Sequence, residues 1–107
     1  MDLHGLAEER SLAYHREVAA RLPRRPELIA LARRRAQEWA ARGGREAPYA
    51  IEWLRILAGT MDEIVAQLED PSERGRALRQ ATPFSGALDP RERWKLWREV
   101  RTRWESR

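Results

Sequence analysis

Three helix-start signals follow one another between Thr60 and Glu92: Thr60-Met61-Asp62-Glu63, Asp70-Pro71-Ser72-Glu73 and Asp89-Pro90-Arg91-Glu92. In each, a side-chain oxygen is placed to accept from an unpaired N–H of the first helical turn, and a Glu three residues on is placed to reach back. In two of them a proline suits the first turn, where its missing N–H costs nothing. Starts this close leave room only for short helices and tight connections, so consecutive helices must pack on one another. Thr60 is expected to open a fourth helix with Met61, Ile64, Val65 and Leu68 on its buried face. Asp70 opens a fifth that ends near Gln80, and Asp89 opens a sixth that runs to about Ser106.

The N-terminal half carries the same punctuation. A first helix over Leu3–Leu22 places Leu3, Ala7, Tyr14, Val18 and Leu22 on one stripe, with Leu6 and Ala13 beside it. Pro23 ends that helix and Pro26 opens the second, whose apolar face is Leu28, Ala32, Ala36 and Trp39. Gly43-Gly44 stops it. Pro48 opens a third helix with Ile51 and Leu54 inward, joined by Trp53 and Leu57, and Gly59 closes it. Strand-like alternation is absent. The expectation is an all-α fold, a single compact bundle of about six short-to-medium helices over residues 1–107.

A chain of 107 residues buries roughly two-thirds of its unfolded surface, enough for one modest core. It has no cysteine, so disulfides and thiolate zinc sites are excluded. The opening MDLHGLAEER lacks the apolar run of a signal peptide, and no stretch approaches the ~20 apolar residues of a membrane span. A cytoplasmic location with no membrane contact is therefore expected. The net charge is +4. It divides into +3 over residues 1–42, −4 over 43–70 and +5 over 71–107. The basic ends either match the acidic middle internally or form two separate basic surfaces.

No catalytic constellation is visible. His4 and His15 lie three turns apart on one helix, about 16 Å by rise, too far to share a metal. The pairs Glu8/Glu9 and Asp62/Glu63 diverge on their helices. Ser11, Ser72, Ser85 and Ser106 have no evident base, and Gly43-Gly44 does not join a strand to a helix. No enzyme, cofactor or small-molecule substrate is expected.

Three binding features remain. The sixth helix carries Trp94, Trp97 and Trp104 on an arc with Leu96 and Val100, a large aromatic load for its length. Most of that arc reads as core, with Trp104 the candidate for exposure to a partner. Its outer face mixes Arg91, Lys95, Arg98 and Arg103 with Glu92, Glu99 and Glu105, which suits a protein better than phosphates. Residues 60–80 can also be laid out as a helix-turn-helix whose second helix presents Arg74, Arg76, Arg79 and Gln80 to DNA. Finally, Pro83 restricts Thr82, and Gly86 permits a turn closed to other residues. Phe84 in that loop either anchors a partner or plugs the core between the fifth and sixth helices.

The stretch RALRQATPFSGALDPRERW (Arg76–Trp94), together with SLAYHREVA (Ser11–Ala19), resembles a family of small bacterial proteins similar to the antitoxin components of toxin–antitoxin modules. The resemblance covers about Ser11 to Arg101. It implies a non-enzymatic cytosolic protein that binds and neutralises a cognate toxin-like protein, and that also binds operator DNA where it regulates its own transcription. Many antitoxins wrap their toxin with a disordered tail, whereas this chain reads as ordered nearly to its end, so a folded surface would dock. The docking corner expected from the loop and its neighbours is Arg79, Gln80, Phe84, Arg91 and Arg93, with Trp104 beyond them. A DNA-binding regulator using residues 60–80 is the alternative, and a small RNA-binding accessory protein a third.

Overall fold

A computed structural model describes the backbone of residues 3–106 and the side chains of 5–106. Six helices form one all-α bundle: α1 (Leu3–Arg21), α2 (Glu27–Arg42), α3 (Ala47–Leu57), α4 (Met61–Glu69), α5 (Glu73–Gln80) and α6 (Pro90–Glu105). There is no strand among the described residues. The side chains of Leu3 and His4 lie outside the described set.

Helix α1 is the axis of the bundle and packs against α4, α5 and α6, while α2 and α3 form a hairpin that joins the rest through α3 and α4. Serving three partners widens the buried face of α1 beyond one stripe. Leu6, Tyr14, His15, Val18, Ala19 and Leu22 are all buried, and Ala7, expected inside, is exposed. Helix α3 is rotated from the expected face. Trp53, Leu57 and Ala50 point inward, Leu54 is half-buried and Ile51 is 60% exposed. The rotation has a hydrogen-bonding reason: Trp53 Nε1 donates to the Leu78 carbonyl at 3.0 Å, so the largest side chain of α3 is buried with its polar atom satisfied.

The capping boxes at Thr60 and Asp89 are formed. Glu63 N donates to Thr60 Oγ1 at 3.1 Å, and Glu92 N donates to an Asp89 carboxylate oxygen at 2.9 Å. The middle start signal is displaced. Ser72, not Asp70, caps α5, accepting from Gly75 N at 3.2 Å. Asp70 instead ends α4 and accepts from Ser72 N at 2.9 Å, closing a turn around Pro71.

That turn is tight enough to dictate a glycine. A Cβ built on Gly75 would lie 2.1 Å from the Asp70 carbonyl oxygen, an approach no side chain permits. Helix propensity alone ranks Ala above Gly by about 1 kcal/mol, so the two effects oppose each other. Gly75→Ala is expected to destabilise the protein by about 1–3 kcal/mol in urea denaturation because the turn must open. Arg76→Ala, exposed on the same helix, is expected to stay within about 0.5 kcal/mol. A Gly75→Ala variant as stable as the parent would refute the close approach.

Candidate functional site

The site is built around two adjacent residues of α1. Tyr14 donates its hydroxyl to the Phe84 carbonyl at 2.6 Å and accepts from Ala87 N at 3.2 Å. His15 Nδ1 lies 2.7 Å from the Ser11 carbonyl, and its Nε2 lies 2.8 Å from Thr82 Oγ1. A carbonyl can only accept, so Nδ1 carries the proton and Nε2 accepts from the Thr82 hydroxyl. Thr82 Oγ1 in turn accepts from Phe84 N at 3.1 Å. Two side chains thus hold the loop between α5 and α6 at three residues, and Arg35 holds it from the far side through the Ser85 carbonyl. Gly86 takes φ +80° where the loop reverses.

Pinned this way, the loop drives Phe84 into the core, 2% exposed and edge-on to Trp53 with ring centroids 5.9 Å apart. Phe84 is therefore not a surface anchor; it is the plug between the last two helices. Beside it, Tyr14 packs against Trp97 at 6.0 Å. The loop, α1 and the N-terminal half of α6 border a shallow, open groove of about 410 Å³, lined by Arg10, Tyr14, Arg79, Ser85, Arg93 and Trp97 among others. Three arginines face this groove and no carboxylate does. Carboxylates do line other clefts: Glu8, with Arg76, lines the one that adjoins the groove at Arg79, and Glu17, Glu92 and Glu99, with Arg21 and Lys95, line a separate one.

Arg79 is 4% exposed, and its Nη1 donates to the Leu68 and Asp70 carbonyls. It caps the C-terminal end of α4, where a cation also meets the negative end of the helix dipole. Burial lowers its pKa, and the neighbouring carboxylate of Asp70 opposes that. Arg79 therefore lends charge to the groove but is not a side chain free to reach a ligand, as either docking or base reading would require. The rest of the DNA-reading set is also committed. Arg74 pairs with Glu52 and donates to Gln67 Oε1 at 2.7 Å, and Arg76 pairs with Glu8 at 3.6 Å. Gln80 is exposed but opens into the cleft shared with Glu8. Helices α4 and α5 pack on each other across a tight turn, and the second presents no free arginine row.

Of the remaining docking candidates, Arg93 lines the groove and Arg91 is exposed at the start of α6. Trp104 is half-buried against the core. The exposed tryptophan is Trp94, at 63%. At 100° per residue, Trp94, Arg98 and Arg101 share the flank of α6 next to Trp97. Glu92 and Glu99 fall on the opposite flank, where Glu92 pairs with Arg21 of α1. Glu92 and Glu99 thus lie away from Trp94, in company with Lys95, while Glu105, paired to Arg101 at 2.9 Å, is the acidic residue on the Trp94 side. Sequence reasoning missed Arg10 and Trp97 as groove residues. Their signal was their helical register with Tyr14 and Arg93, four residues away in each case.

Among the described residues no group of three or more His, Asp or Glu is placed to hold a metal ion, and no helix is long and apolar enough to cross a membrane. Comparison with protein-family models, with curated proteins and with solved structures finds no match to this chain.

The buried imidazole has a measurable consequence. Burial lowers the His15 pKa from 6.5 to about 4; the bond to the Ser11 carbonyl opposes this and the nearby Arg79 charge adds to it. Below pH 6.5 the unfolded chain takes up a proton that the folded chain refuses, so stability falls as pH drops from 6.5 toward about 4. The loss amounts to roughly 3 kcal/mol by the low end of that window. Glu52, Asp70 and Asp89, whose carboxyls hydrogen bonds hold below their ordinary range, contribute stability that is lost only at lower pH. Urea denaturation between pH 6.5 and 5 should show the slope in the parent and its disappearance in His15→Gln.

Proposed function

We propose that this chain is a non-enzymatic interaction protein of the antitoxin type, which neutralises a cognate protein by docking it against a folded surface. The observation that carries the reading is the groove between α1, the 81–89 loop and α6, with three arginines, a half-buried tryptophan and no carboxylate. A cationic, partly aromatic concavity held by rigid elements has the make-up of a protein hot spot, in which Trp, Tyr and Arg dominate binding energy. Exposed Trp94 beside it extends the contact area outward. The resemblance of Arg76–Trp94 and Ser11–Ala19 to antitoxin components supplies the type of partner. It also gives the two motifs one physical relation: Tyr14 and His15 of the first hold Thr82, Phe84 and Ala87 of the second.

Operator binding through residues 60–80 is the weaker reading, because Arg79 is internal and Arg74 and Arg76 are paired with carboxylates.

The test is neutralisation. The full chain is captured from native lysate after nuclease treatment and a high-salt wash, and each stoichiometric partner is expressed alone and together with it. The expected result is one partner that arrests growth alone and is relieved by co-expression. Arg10→Glu combined with Arg93→Glu should abolish relief without lowering the thermal melt of the bundle. Absence of any growth-arresting partner, or relief that survives the double charge reversal, would overturn the proposal.

A further inference from the structure

The groove also constrains the chemistry of what fills it. Resting on the partner-docking reading above, we infer that the docking element is a short acidic peptide segment, which places carboxylates between Arg10 and Arg93 and an aromatic or aliphatic side chain against Trp97 and Trp94.

Charge is the first argument. Arg10, Arg79 and Arg93 converge on one concavity without a lining carboxylate, and no described ion pair engages Arg10 or Arg93. Like charges brought together repel, so the free protein is left with a local field that an anion relieves. The second argument is free donors. The Nε of Arg10 is covered by the protein, but no hydrogen bond or ion pair among the described residues engages its Nη groups, so a carboxylate would meet that guanidinium end-on through the two Nη atoms. The third is the aromatic wall. Trp97 is half-buried in the groove and Trp94 is exposed next to it, giving an apolar side chain two indole faces to cover.

A nucleic-acid strand has charge of the same sign but fits less well. Glu8 stands in the cleft that continues past Arg79, and Glu105 stands on the Trp94 flank at the other end of α6. Each of these carboxylates is already paired, Glu8 with Arg76 and Glu105 with Arg101, so the ion pairs interrupt the cationic track that an extended polyanion would follow. A peptide carrying a few carboxylates among neutral residues needs only the groove's own arginines.

The experiment titrates the full chain, by tryptophan fluorescence at low salt, with three probes. They are a blocked peptide in which glutamates alternate with glycine around a central phenylalanine, the same peptide with every Glu replaced by Gln, and a ten-nucleotide oligo-dT. The Glu peptide is expected to bind at least about tenfold tighter than its Gln copy, the worth of one charge-assisted hydrogen bond. Arg10→Glu with Arg93→Glu should erase that advantage, whereas Arg24→Glu with Arg103→Glu, the same charge change away from the groove, should keep it. Equal binding of the Glu and Gln peptides, retention of the preference in the groove variant, or tighter binding of oligo-dT than of the Glu peptide would overturn the inference. The two proposals fail separately. A neutralised partner that the Glu peptide cannot displace sinks the acidic segment alone, and groove-dependent peptide binding without any growth-arresting partner sinks the antitoxin reading alone.

Discussion

The Tyr14 hydroxyl sets the position of everything in the C-terminal third. One oxygen both donates to the Phe84 carbonyl and accepts from Ala87 N, and so satisfies two backbone groups that the loop buries. A buried loop ordinarily carries unpaired backbone groups, each costing about 1–3 kcal/mol. Here the central helix supplies the partners. The neighbouring His15–Thr82 bond fixes the same loop one step earlier. With the loop held at both ends, Phe84 enters the core, Asp89 starts α6 in a defined place, and Arg93 and Trp97 come to stand opposite Arg10. The groove is a consequence of how the loop is closed.

Arg79 links this corner to the middle of the chain. Its guanidinium ends α4 by taking the Leu68 and Asp70 carbonyls, and its own helix begins across a turn that admits only glycine at position 75. A buried cation is costly unless its donors are matched. The Leu68 and Asp70 carbonyls occupy Nη1, while Nε is left without a partner. The same residue therefore contributes to stability on one side and to an unrelieved positive field on the other. Such a compromise is expected where a fold carries a binding surface.

The architecture was legible because its signals are local. Caps, prolines and glycines act within one turn of themselves, so the number and order of the helices follow from residues such as Thr60, Pro90 and Gly43. The Asp70 start was misread by two residues because Asp and Ser both cap, and Asp70 makes a turn with Ser72 that the linear pattern does not distinguish from a helix start. Rotation of the helices was less legible. Ile51 and Trp53 each suit an inward position on α3, and the choice between them rests on a hydrogen bond to Leu78, twenty-five residues away. Nor did the pattern separate Trp94 from Trp104, because which flank of α6 is covered depends on where α1 lies.

The charge on α6 shows why the site itself was hidden. Read along the chain, its acids and bases alternate, and alternation describes a helix without a preferred ligand. Wound at 100° per residue and laid across α1, two of its three acids, Glu92 and Glu99, fall together on the side away from Trp97, with Lys95 among them. Glu92 is drawn to Arg21 and stands with Glu17 and Glu99 on one side, leaving Arg93 with Trp97 on the other. Arg10, remote in sequence, completes the second side, because α1 presents it one turn before Tyr14. The basic ends of the chain therefore do not chiefly neutralise its acidic middle, although Glu52 does pair with Arg74. They meet each other instead. Bringing two basic segments together is electrostatically unfavourable in an isolated protein, and the bundle tolerates it because α1 and α6 are held by Val18, Leu22, Leu96 and Val100 beneath the charges. A fold that uses apolar packing to gather like charges around an open groove keeps a positive field there, and that field is what supports the proposed acidic partner.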